Sequence, residues 1–267
     1  MALLELHNVC VPVHSGNRIN RSDERLVLVD NVSCKLDSGE ILAVIGPNGA
    51  GKSTLLQAIS GDLTYTGEIN INGVSEEPKL RARQIAVLPQ LSLLNFPYRV
   101  SEVVGLSRIP HQTGIERDRQ IIDQALATMD IDFLKDRLYT QLSGGEKQRV
   151  QLARVFAQIW SADDAPEGTR LLLLDEPTFA LDLGHQQQLM QIITSFAKQG
   201  VAVMMVLHDI NLAAYYADKL LALLCSQQIA LGEPNEVISE DIINRLFGIK
   251  TSIIKHPDHD APVVLGI

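Results

Sequence analysis

A glycine-rich loop that follows a short apolar run constrains this chain more than any other part of its sequence. The apolar run is Ile41–Ile45, and the loop after it fits the pattern G-x-x-x-x-G-K-[S/T]. Where a buried strand enters such a loop and a helix leaves it, successive backbone N–H groups can surround a phosphate, and glycine keeps side chains out of their way. The residues predicted to bind nucleotide phosphates are Gly46, Pro47, Asn48, Gly49, Ala50, Gly51, Lys52, Ser53 and Thr54.

Two side chains of this loop have predicted roles of their own. Lys52 is expected to reach the β- and γ-phosphates, and the hydroxyl of Ser53 is expected to complete the coordination shell of Mg²⁺. The alternative is a glycine-rich turn that fits the pattern by accident. The apolar run before the loop and the helical pattern after it argue against that alternative, so the sequence predicts a bound nucleotide, ATP, together with Mg²⁺.

Composition narrows the class of protein. The 267 residues are 46% hydrophobic, which is enough for the core of one large domain, and the formal net charge of −9 argues against a nucleic-acid groove as the main function. The cysteines are Cys10, Cys34 and Cys225, few and far apart. Neither a disulfide framework nor a zinc site is therefore expected, which suits a reducing cytosol.

No membrane anchor is expected from the sequence. The first residues lack a basic segment followed by an apolar one, which is the pattern of a signal peptide. No apolar run approaches the roughly 20 residues that a membrane-spanning helix needs. If the protein works at a membrane, another chain is expected to anchor it.

Hydrophobic periodicity predicts an α/β fold. Continuous apolar runs at 171–174 and 201–207 are typical of strands buried on both faces of a parallel sheet, with the helix 183–198 as their crossover. Alternating runs at 3–13 and 26–36 are typical of an antiparallel sheet. The other predicted strands are 66–72, 85–88, 220–225 and 228–231, and the other predicted helices are 52–60, 101–106, 118–129, 145–159, 210–217 and 240–247.

Helical and polar segments interrupt this pattern of strands. Residues 91–161 are predicted to form a helical lobe inserted into the sheet domain, because apolar residues recur there at helical spacing. The polar stretches 15–24 and 161–169 are predicted to be surface loops.

Two adjacent carboxylates stand at the carboxyl end of a predicted buried strand. Asp175 can hold Mg²⁺ there, directly or through water, and Glu176 can polarise the water that attacks the γ-phosphate. An Asp-Glu pair can also simply end a strand. Its place after a phosphate-binding loop favours the catalytic interpretation.

Gln90 and His208 each follow a predicted buried strand. The amide of Gln90 is expected to contact both the metal shell and the attacking water, and the imidazole of His208 is expected to orient the γ-phosphate in the ligand crevice of the sheet. Taken alone, a Gln after a Pro is more often a turn residue, and a single His is more often an ordinary polar residue. Both predictions therefore depend on the neighbouring motifs.

Ser143, Gly144 and Gly145 lie at the N-terminus of a predicted helix, which is a second place that can bind an anion. One nucleotide already has a complete phosphate loop, so this second N-terminus is expected to serve a nucleotide held by another copy of the chain. That arrangement predicts a head-to-tail homodimer with two ATP molecules between its subunits. The alternative is an ordinary helix start, in which Glu146 interacts favourably with the helix dipole.

Six segments resemble, in their order along the chain, the motif set of an ABC-type ATPase: Walker A at 46–54, the Q-loop at Gln90, the signature at 142–148, Walker B at 171–178, the D-loop at 180–182 and the switch histidine at His208. The resemblance implies a P-loop NTPase fold with a RecA-like parallel-sheet core, an antiparallel β-subdomain and an inserted α-helical subdomain. It implies an ATP-binding domain over 1–240 and a C-terminal helix and tail over 241–267. It also implies that Asp182 works at the dimer interface and that Gln90 links hydrolysis to a permease.

A second set of segments is similar to the ATP-binding subunits of importers for iron siderophores, cobalamin and especially haem: 86–90, 96–100, 102–104 and 108–111. The polar insertion 161–169 also fits haem-importer ATPases. This resemblance implies ATP hydrolysis that energises haem uptake, at the cytoplasmic face of the bacterial inner membrane, by a peripheral protein. The implied partners are a second copy of the chain, two transmembrane permease subunits and, indirectly, a periplasmic substrate-binding protein, with no nucleic acid.

Other functions stay open at this point. The same subunit could serve a ferric-siderophore or cobalamin importer, because substrate contacts would lie in the permease and the binding protein. Soluble ABC ATPases that act on DNA or ribosomes usually carry coiled-coil insertions or two cassettes, and iron–sulfur assembly ATPases would differ after Gln90. Exporter ATPases are usually fused to membrane spans.

The sequence departs from the motif set of such ATPases in two places and leaves the role of one segment open. The neighbourhood 21–25 lacks the aromatic residue that often stacks on adenine in such ATPases, so the adenine contact is not identified. Phe179 stands beside the D-loop where many relatives have Ser. The apolar segment 91–104 is either a groove for a permease helix or core of the helical lobe.

The chain ends in a tail rich in Pro, His and Asp. His256 and His259, with Asp258 and Asp260 beside them, could bind a metal or haem. A solvated C-terminal tail is the favoured interpretation of the sequence.

Overall fold

The computed structural model describes residues 2–13, 27–90 and 96–266. The predicted loop 15–24, the neighbourhood 21–25 and the first residues of the segment 91–104 lie outside this description.

The chain divides into two structural units. The first unit combines Met1–Asn72 with Met204–Ile267, and the second unit is Gly73–Val203. The domain boundaries predicted from the sequence, including the inserted helical lobe 91–161, stay predictions.

Strands form where the sequence alternates or is continuously apolar. They are β1 (Leu4–Pro12), β2 (Val27–Leu36), β3 (Ile41–Ile45), β4 (Thr66–Ile71), β5 (Ile85–Leu88), β6 (Leu171–Asp175), β7 (Ala202–Val206), β8 (Lys219–Leu224), β9 (Gln227–Gly232), β10 (Ser252–Lys255) and β11 (Pro262–Leu265).

Helices form where apolar residues recur every three or four positions. They are α1 (Lys52–Ser60), α2 (Pro78–Gln84), α3 (Val100–Gly105), α4 (Ile115–Thr128), α5 (Gly144–Gln158), α6 (Leu183–Lys198), α7 (Ile210–Tyr216), α8 (Pro234–Val237) and α9 (Glu240–Phe247).

Among the described residues of the first unit, six strands are hydrogen-bonded in the order β4-β1-β2-β9-β8-β3. The pairs β1–β2, β1–β4 and β8–β9 are antiparallel, whereas β2–β9 and β3–β8 are parallel. The whole of β3 is buried, and Leu207, just after β7, donates its N–H to the carbonyl of Val44 at 3.3 Å. The strand that enters the glycine-rich loop is thus fixed by neighbours within its own unit.

The second unit pairs β5 with β6 in parallel, with Ile85 opposite Leu171 and Leu88 opposite Leu174. The four leucines of β6 are fully buried, as expected for a strand covered on both faces. Helix α5 packs against α3, α4 and β5. Because β5 and β6 run side by side in the same direction, the residues that follow them emerge at one edge.

This architecture confirms the predicted α/β class, with a mixed sheet and both helix-rich and antiparallel parts. Nearly all the predicted strands and helices are present, displaced by at most a few residues at their ends. In the part of the chain that the structure describes, no helix has both the length and the hydropathy of a bilayer span.

The sequence analysis missed α2, α8 and the hairpin of β10 and β11. Helix α2 buries only Gln84, so it carries no apolar periodicity. Residues 257–260, where a solvated tail was predicted, are exposed, but the strands on either side of them, β10 and β11, were not predicted. They pair antiparallel, and the Asn211 amide of α7 donates to Val264 O at 3.1 Å while its carbonyl accepts from Val264 N at 2.7 Å.

The expectation of a surface loop over 161–169 is wrong at Asp164, which is only 5% exposed. Its carboxylate accepts a hydrogen bond from Arg108 Nη2 at 3.0 Å, and both side chains are almost fully buried. Its backbone carbonyl accepts from Arg83 Nε and Nη2 at 2.9 and 2.6 Å. An acidic residue is buried here because two arginines reach it from other parts of the second unit.

Candidate active site

The loop between β3 and α1 requires glycine for steric reasons. Gly46 and Gly51 have φ values of 145° and 98°, which residues with a Cβ rarely adopt. A Cβ on Gly46 would lie 2.1 Å from the carbonyl oxygen of Leu223, and a Cβ on Gly51 would lie 2.3 Å from that of Leu28. The backbone of the loop therefore packs directly on β8 and β2.

Lys52 reaches back over this loop from the first position of α1. Its Nζ donates to the carbonyl oxygens of Gly46 and Pro47, both at 2.9 Å, and the side chain is 6% exposed. The loop therefore encloses a buried cation next to a helix N-terminus. This donor set fits the phosphates of a nucleotide.

The other predicted loop residues lie around this cation. Ser53 follows Lys52 in the first turn of α1 and is half-buried, as is Thr54, while Ala50 is buried and Asn48 and Gly49 are exposed.

His208 belongs to the same unit and comes directly after Leu207, the residue that hydrogen-bonds Val44. Val44 is two positions before the glycine-rich loop, so His208 follows a strand end that is fixed beside the start of that loop. The next residue, Asp209, caps α7 by accepting from Leu212 N at 2.9 Å. His208 is exposed, as a residue that contacts a ligand at this edge must be.

In the second unit, the structure brings Gln90 and Glu176 together. Gln90 Nε2 donates to Glu176 Oε1 at 2.9 Å. Glu176 has φ 51°, a left-handed conformation that costs a residue other than glycine about 1–3 kcal/mol. Asp175, one position earlier, is 5% exposed. The Gln90 amide and the Glu176 carboxylate thus meet where β5 and β6 end, next to the buried Asp175 in the chain.

The signature residues form the capped N-terminus of α5. Ser143 Oγ accepts from Glu146 N at 3.3 Å and donates to Glu146 Oε2 at 2.7 Å, and Ser143 N donates to the same carboxylate at 2.7 Å. These two contacts, the backbone N–H first, hold the pKa of Glu146 below its usual range. The sequence analysis assigned Glu146 only an interaction with the helix dipole, whereas it forms a capping box with Ser143.

The signature and the segment after Glu176 are in contact. A Cβ on Gly145 would lie 3.0 Å from the carbonyl oxygen of Ala180, and Gln148 Nε2 donates to Pro177 O at 3.1 Å. Sequence reasoning gave Gln148 no role, although it lies one helical turn after Gly144 and therefore on the same face of α5.

Asp182 begins α6 as its N-cap. Its carboxylate accepts from His185 N at 2.9 Å and lies 2.8 Å from His185 Nδ1. The backbone N–H of His185, followed by its ring, keeps the pKa of Asp182 below its ordinary value. Phe179 and Leu183, on either side of this segment, are 63% and 83% exposed, so the surface around Asp182 is unusually apolar.

The described part of the segment 91–104 is partly core and partly exposed, and a groove for a permease helix there stays a prediction. Val100, Val103 and Val104 are fully buried in the core of the second unit, whereas Phe96 and Tyr98 are 65% and 40% exposed.

Comparisons with known proteins agree with the motif set. A family model described as ABC transporter matches residues 29–179. The hemin import ATP-binding protein HmuV of Gloeobacter violaceus is 48% identical over 246 residues, which are 90% of this chain and 89% of that protein.

Solved structures resemble the fold over most of its length. A metal-chelate-type ABC transporter in an inward-facing conformation gives a TM-score of 0.77 at 26% identity and covers 100% of this chain and 98% of the other. A dimeric bacterial ABC transporter cassette gives a TM-score of 0.72 at 26% identity, with 86% and 98% covered. The chain therefore belongs to the ABC transporter family, of which it is an ATP-hydrolysing, ATP-binding member.

Proposed function

We propose that this protein hydrolyses ATP to energise haem uptake through a bacterial membrane permease. The observation that carries the proposal is the 48% identity, over 90% of the chain, to a protein named for hemin import. A ferric-siderophore or cobalamin importer is the second candidate, and the likeness to a metal-chelate-type transporter favours it.

Catalysis is proposed to depend on positioning and charge, without a covalent intermediate. The loop 46–54 binds the phosphates, with Lys52 at the β- and γ-phosphates, and His208 contacts the γ-phosphate. Glu176 polarises the attacking water, and Gln90 holds the Glu176 carboxylate in place through the hydrogen bond at 2.9 Å.

Ser53, Asp175 and Gln90 are the residues proposed to hold Mg²⁺. Their hydroxyl, carboxylate and amide oxygens are the donors that this hard cation prefers, and the buried carboxylate of Asp175 suits a cationic ligand. When bound, the ion neutralises charge on the β- and γ-phosphates.

The working form is proposed to be a head-to-tail homodimer that encloses two ATP molecules. Ser143, Gly144 and Gly145 of one copy would meet the nucleotide bound by the phosphate loop of the other, with Asp182 at the interface. The similarity to a dimeric cassette supports this arrangement, and the exposed Phe179 and Leu183 supply apolar surface beside it.

The permease is proposed to dock on the second unit, which places the protein peripherally at the cytoplasmic face of the inner membrane. A groove of about 680 Å³ there is lined in part by Gly105, Ile109, Ile115 and Lys135. Ile109 and Ile115 are 72% and 90% exposed, and exposed apolar side chains around a groove are typical of a protein contact. The periplasmic binding protein would act only through the permease.

Mixing two inactive variants tests the shared site. Ser143→Arg and Lys52→Ala should each abolish ATP hydrolysis alone, and mixed subunits should recover activity, because one of the two sites in a mixed dimer is intact. The matched control replaces the first variant with the double variant Ser143→Arg/Lys52→Ala, which leaves no intact site. A mixture that stays as inactive as this control would refute the shared site.

Transport by the complete complex tests the substrate. The ATP-binding subunit, the permease and the binding protein are reconstituted in lipid vesicles, and ATP hydrolysis and uptake are measured with haem, a ferric siderophore or cobalamin on the binding protein. Haem is expected to stimulate both. Stimulation by the siderophore or cobalamin alone would replace the proposal with its second candidate.

A further inference from the structure

The backbone at Glu176 is strained. Glu176 has φ 51°, in the left-handed region that residues with a Cβ rarely adopt. It also precedes Pro177, and a residue before proline is normally confined to extended backbone. Such a conformation persists only where surrounding contacts enforce it. The contacts of the segment that begins at Glu176, named here the base segment (residues 176–181), therefore determine where the carboxylate points.

Hydrogen bonds inside the base segment do not require this conformation. Phe179 N donates to Glu176 O at 3.1 Å, which closes a turn over residues 176–179. The shape of such a turn is set by the dihedral angles of its second and third residues, and Glu176 is the first. Contacts from outside the base segment must therefore keep Glu176 in the left-handed region.

Helix α5 contacts the base segment at two points. Gln148 Nε2 donates to Pro177 O at 3.1 Å. Gly145 packs against Ala180, since a Cβ on Gly145 would lie 3.0 Å from the Ala180 carbonyl oxygen. Residues three positions apart lie on the same face of a helix, so one face of α5 contacts the base segment at both Pro177 and Ala180.

The hydrogen bond from Gln148 lies directly beside the proposed base in the chain. The ring of Pro177 fixes its φ at about −65°, so a hydrogen bond to its carbonyl oxygen restrains the whole residue and the peptide bond to Glu176. At the far end of the Glu176 side chain, Gln90 Nε2 donates to Oε1 at 2.9 Å. Glu176 is thus held through its backbone by Gln148 and through its carboxylate by Gln90.

We propose that Gln148 is a positioning residue for Glu176 of its own subunit. Its hydrogen bond holds Pro177, and with it the strained backbone that orients the Glu176 carboxylate toward the attacking water. Two parts of this inference rest on the proposed function: the role of Glu176 as base, and the contact of Ser143 with the nucleotide of a second copy.

The place of Gln148 on α5 gives this role a consequence for the dimer. The N-terminus of α5 is proposed to bind the nucleotide held by the other subunit, and Gln148 lies in the next turn of the same helix. A nucleotide that fixes this N-terminus therefore also fixes the group that holds Pro177. Occupation of one site should favour the active position of the base in the other site, so hydrolysis should depend cooperatively on ATP.

The first test places Gln148→Met in one subunit of a mixed dimer at a time. The dimers combine a Ser143→Arg subunit with a Lys52→Ala subunit and are purified through two different affinity tags. Their intact site takes its phosphate loop and Glu176 from the Ser143→Arg subunit and its signature from the Lys52→Ala subunit. Gln148→Met should lower kcat about tenfold or more in the first subunit and less than about twofold in the second.

Gln188→Met is the matched control for this test. Gln188 Nε2 also donates to a backbone carbonyl, that of Thr128, at 3.2 Å, and both glutamines are half-buried in the same unit. The control removes the same kind of hydrogen bond away from the base segment, so it should leave kcat unchanged in either subunit. Coincident urea-unfolding curves show that the variants are folded.

Two measurements on dimers with both sites intact complete the test. Gln148→Met alone should lower kcat about tenfold or more while the Kd for ATP stays as in the wild type, because the phosphate loop is unchanged. The Hill coefficient of ATP hydrolysis should exceed 1 in the wild type and fall toward 1 in Gln148→Met, because α5 no longer holds Pro177.

Several results would overturn the inference. A kcat of Gln148→Met equal to that of the wild type, or an equal loss in both subunits of the mixed dimer, would remove the positioning role. A loss of the same size in Gln188→Met would reduce the effect to general destabilisation. A Hill coefficient of 1 in the wild type, or one that Gln148→Met leaves unchanged, would remove the link between the two sites.

Failure of this inference is distinguishable from failure of the proposed function. Mixed dimers that are inactive without any change at Gln148 would refute the shared site, and the kcat of Gln148→Met in the otherwise unchanged chain would still decide the positioning role. Active mixed dimers that respond equally to Gln148→Met in either subunit would refute only the role of Gln148. The assays contain no permease, so they do not depend on the transported substrate.

Discussion

The side-chain amide of Gln90 holds the carboxylate of Glu176, with 2.9 Å between Nε2 and Oε1. The two residues are 86 positions apart in the chain and meet because β5 and β6 are parallel neighbours. Glu176 also has a left-handed backbone, with φ 51°. The orientation of its side chain is therefore set by the strained backbone and by the hydrogen bond to its carboxylate.

The first prediction concerns the proposed base. Replacement Glu176→Gln keeps the size of the side chain but removes its ability to attract a proton from water. The kcat of ATP hydrolysis should fall about 100- to 10,000-fold, whereas the Kd for ATP should change little. Steady-state hydrolysis and nucleotide binding measure the two quantities. A Glu176→Gln enzyme that turns over near the wild-type rate would exclude this residue as the base.

The second prediction compares two glycines of the phosphate loop. Gly46→Ala and Gly49→Ala both place a Cβ at a positive φ, which costs about 1–2 kcal/mol. Only the first adds an overlap, because a Cβ on Gly46 would meet Leu223 O at 2.1 Å whereas Gly49 has nothing within 4 Å. Gly46→Ala should therefore lower the free energy of unfolding by about 1–3 kcal/mol more than Gly49→Ala.

Urea unfolding of the two glycine variants, followed by circular dichroism, measures this difference. Equal loss of stability in both variants would mean that the loop can move away from β8, contrary to the close approach described here.

The third prediction concerns the buried ion pair of the insertion. Asp164→Ala removes the more deeply buried of the two carboxylates that pair with Arg108. Because Asp118 still pairs with the guanidinium, the cost should be below the roughly 3–5 kcal/mol of an unpaired buried charge, at about 2–3 kcal/mol. Asp118→Ala should cost less, because Asp118 also pairs with Arg108, at 2.9 Å, but its side chain is 23% exposed. Chemical denaturation of each variant gives the two values.

An apolar replacement of the whole pair provides the control. Arg108→Met combined with Asp164→Leu removes both fully buried charges and leaves only Asp118, whose side chain is 23% exposed, so the double variant should recover part of the stability lost in Asp164→Ala. If Asp164→Ala is as stable as the wild type, the insertion is not held by this pair.

The fourth prediction concerns pH. Contacts with Ser143 hold the pKa of Glu146 below its usual range in the folded chain. The unfolded chain therefore takes up the proton first, so Glu146 stabilises the fold above its unfolded pKa of about 4.3, and this contribution is lost as the pH falls through the lowered folded pKa. Because solvent reaches the pair, the contribution is at most about 1 kcal/mol.

The measurement is the free energy of unfolding from pH 7 downward, for the wild type and for Glu146→Gln. The gap between them should narrow as the solution is acidified below about pH 5. Glu116→Gln, in the first turn of α4, is the matched control. A gap that stays constant down to pH 3 would contradict the proposed contacts.

Much of the fold could be predicted because its strands and helices carry strong local patterns. The continuous apolar runs of β3, β6 and β7 are typical of strands buried in a sheet. Helix α6 begins and ends at the residues predicted from its helical periodicity. The hairpin of β10 and β11 could not be predicted in the same way. Each of its strands has only four residues, and the contact that fixes it comes from Asn211, a polar residue on another element.

The sequence predicted which residues belong to the candidate site better than it predicted the contacts between them. Gln90 and Glu176 were each expected to act on the attacking water, and they are hydrogen-bonded to each other. The engagement of Ser143 by Glu146 follows the S-x-x-E pattern of a capping box, which the sequence analysis did not apply, whereas the contact of Asp182 with the ring of His185 depends on side-chain rotamers. The burial of Asp164 likewise depends on Arg108, 56 positions earlier.

Ser143 Oγ already donates to a carboxylate on its own helix, at 2.7 Å. Under the proposed function, the γ-phosphate of a nucleotide bound by a second copy must replace the Glu146 carboxylate as the acceptor of this hydrogen bond. Once phosphate has left, Ser143 Oγ can donate to Glu146 again. The N-terminus of α5 then has its hydrogen bonds without the second subunit, so the two subunits can separate and begin another cycle.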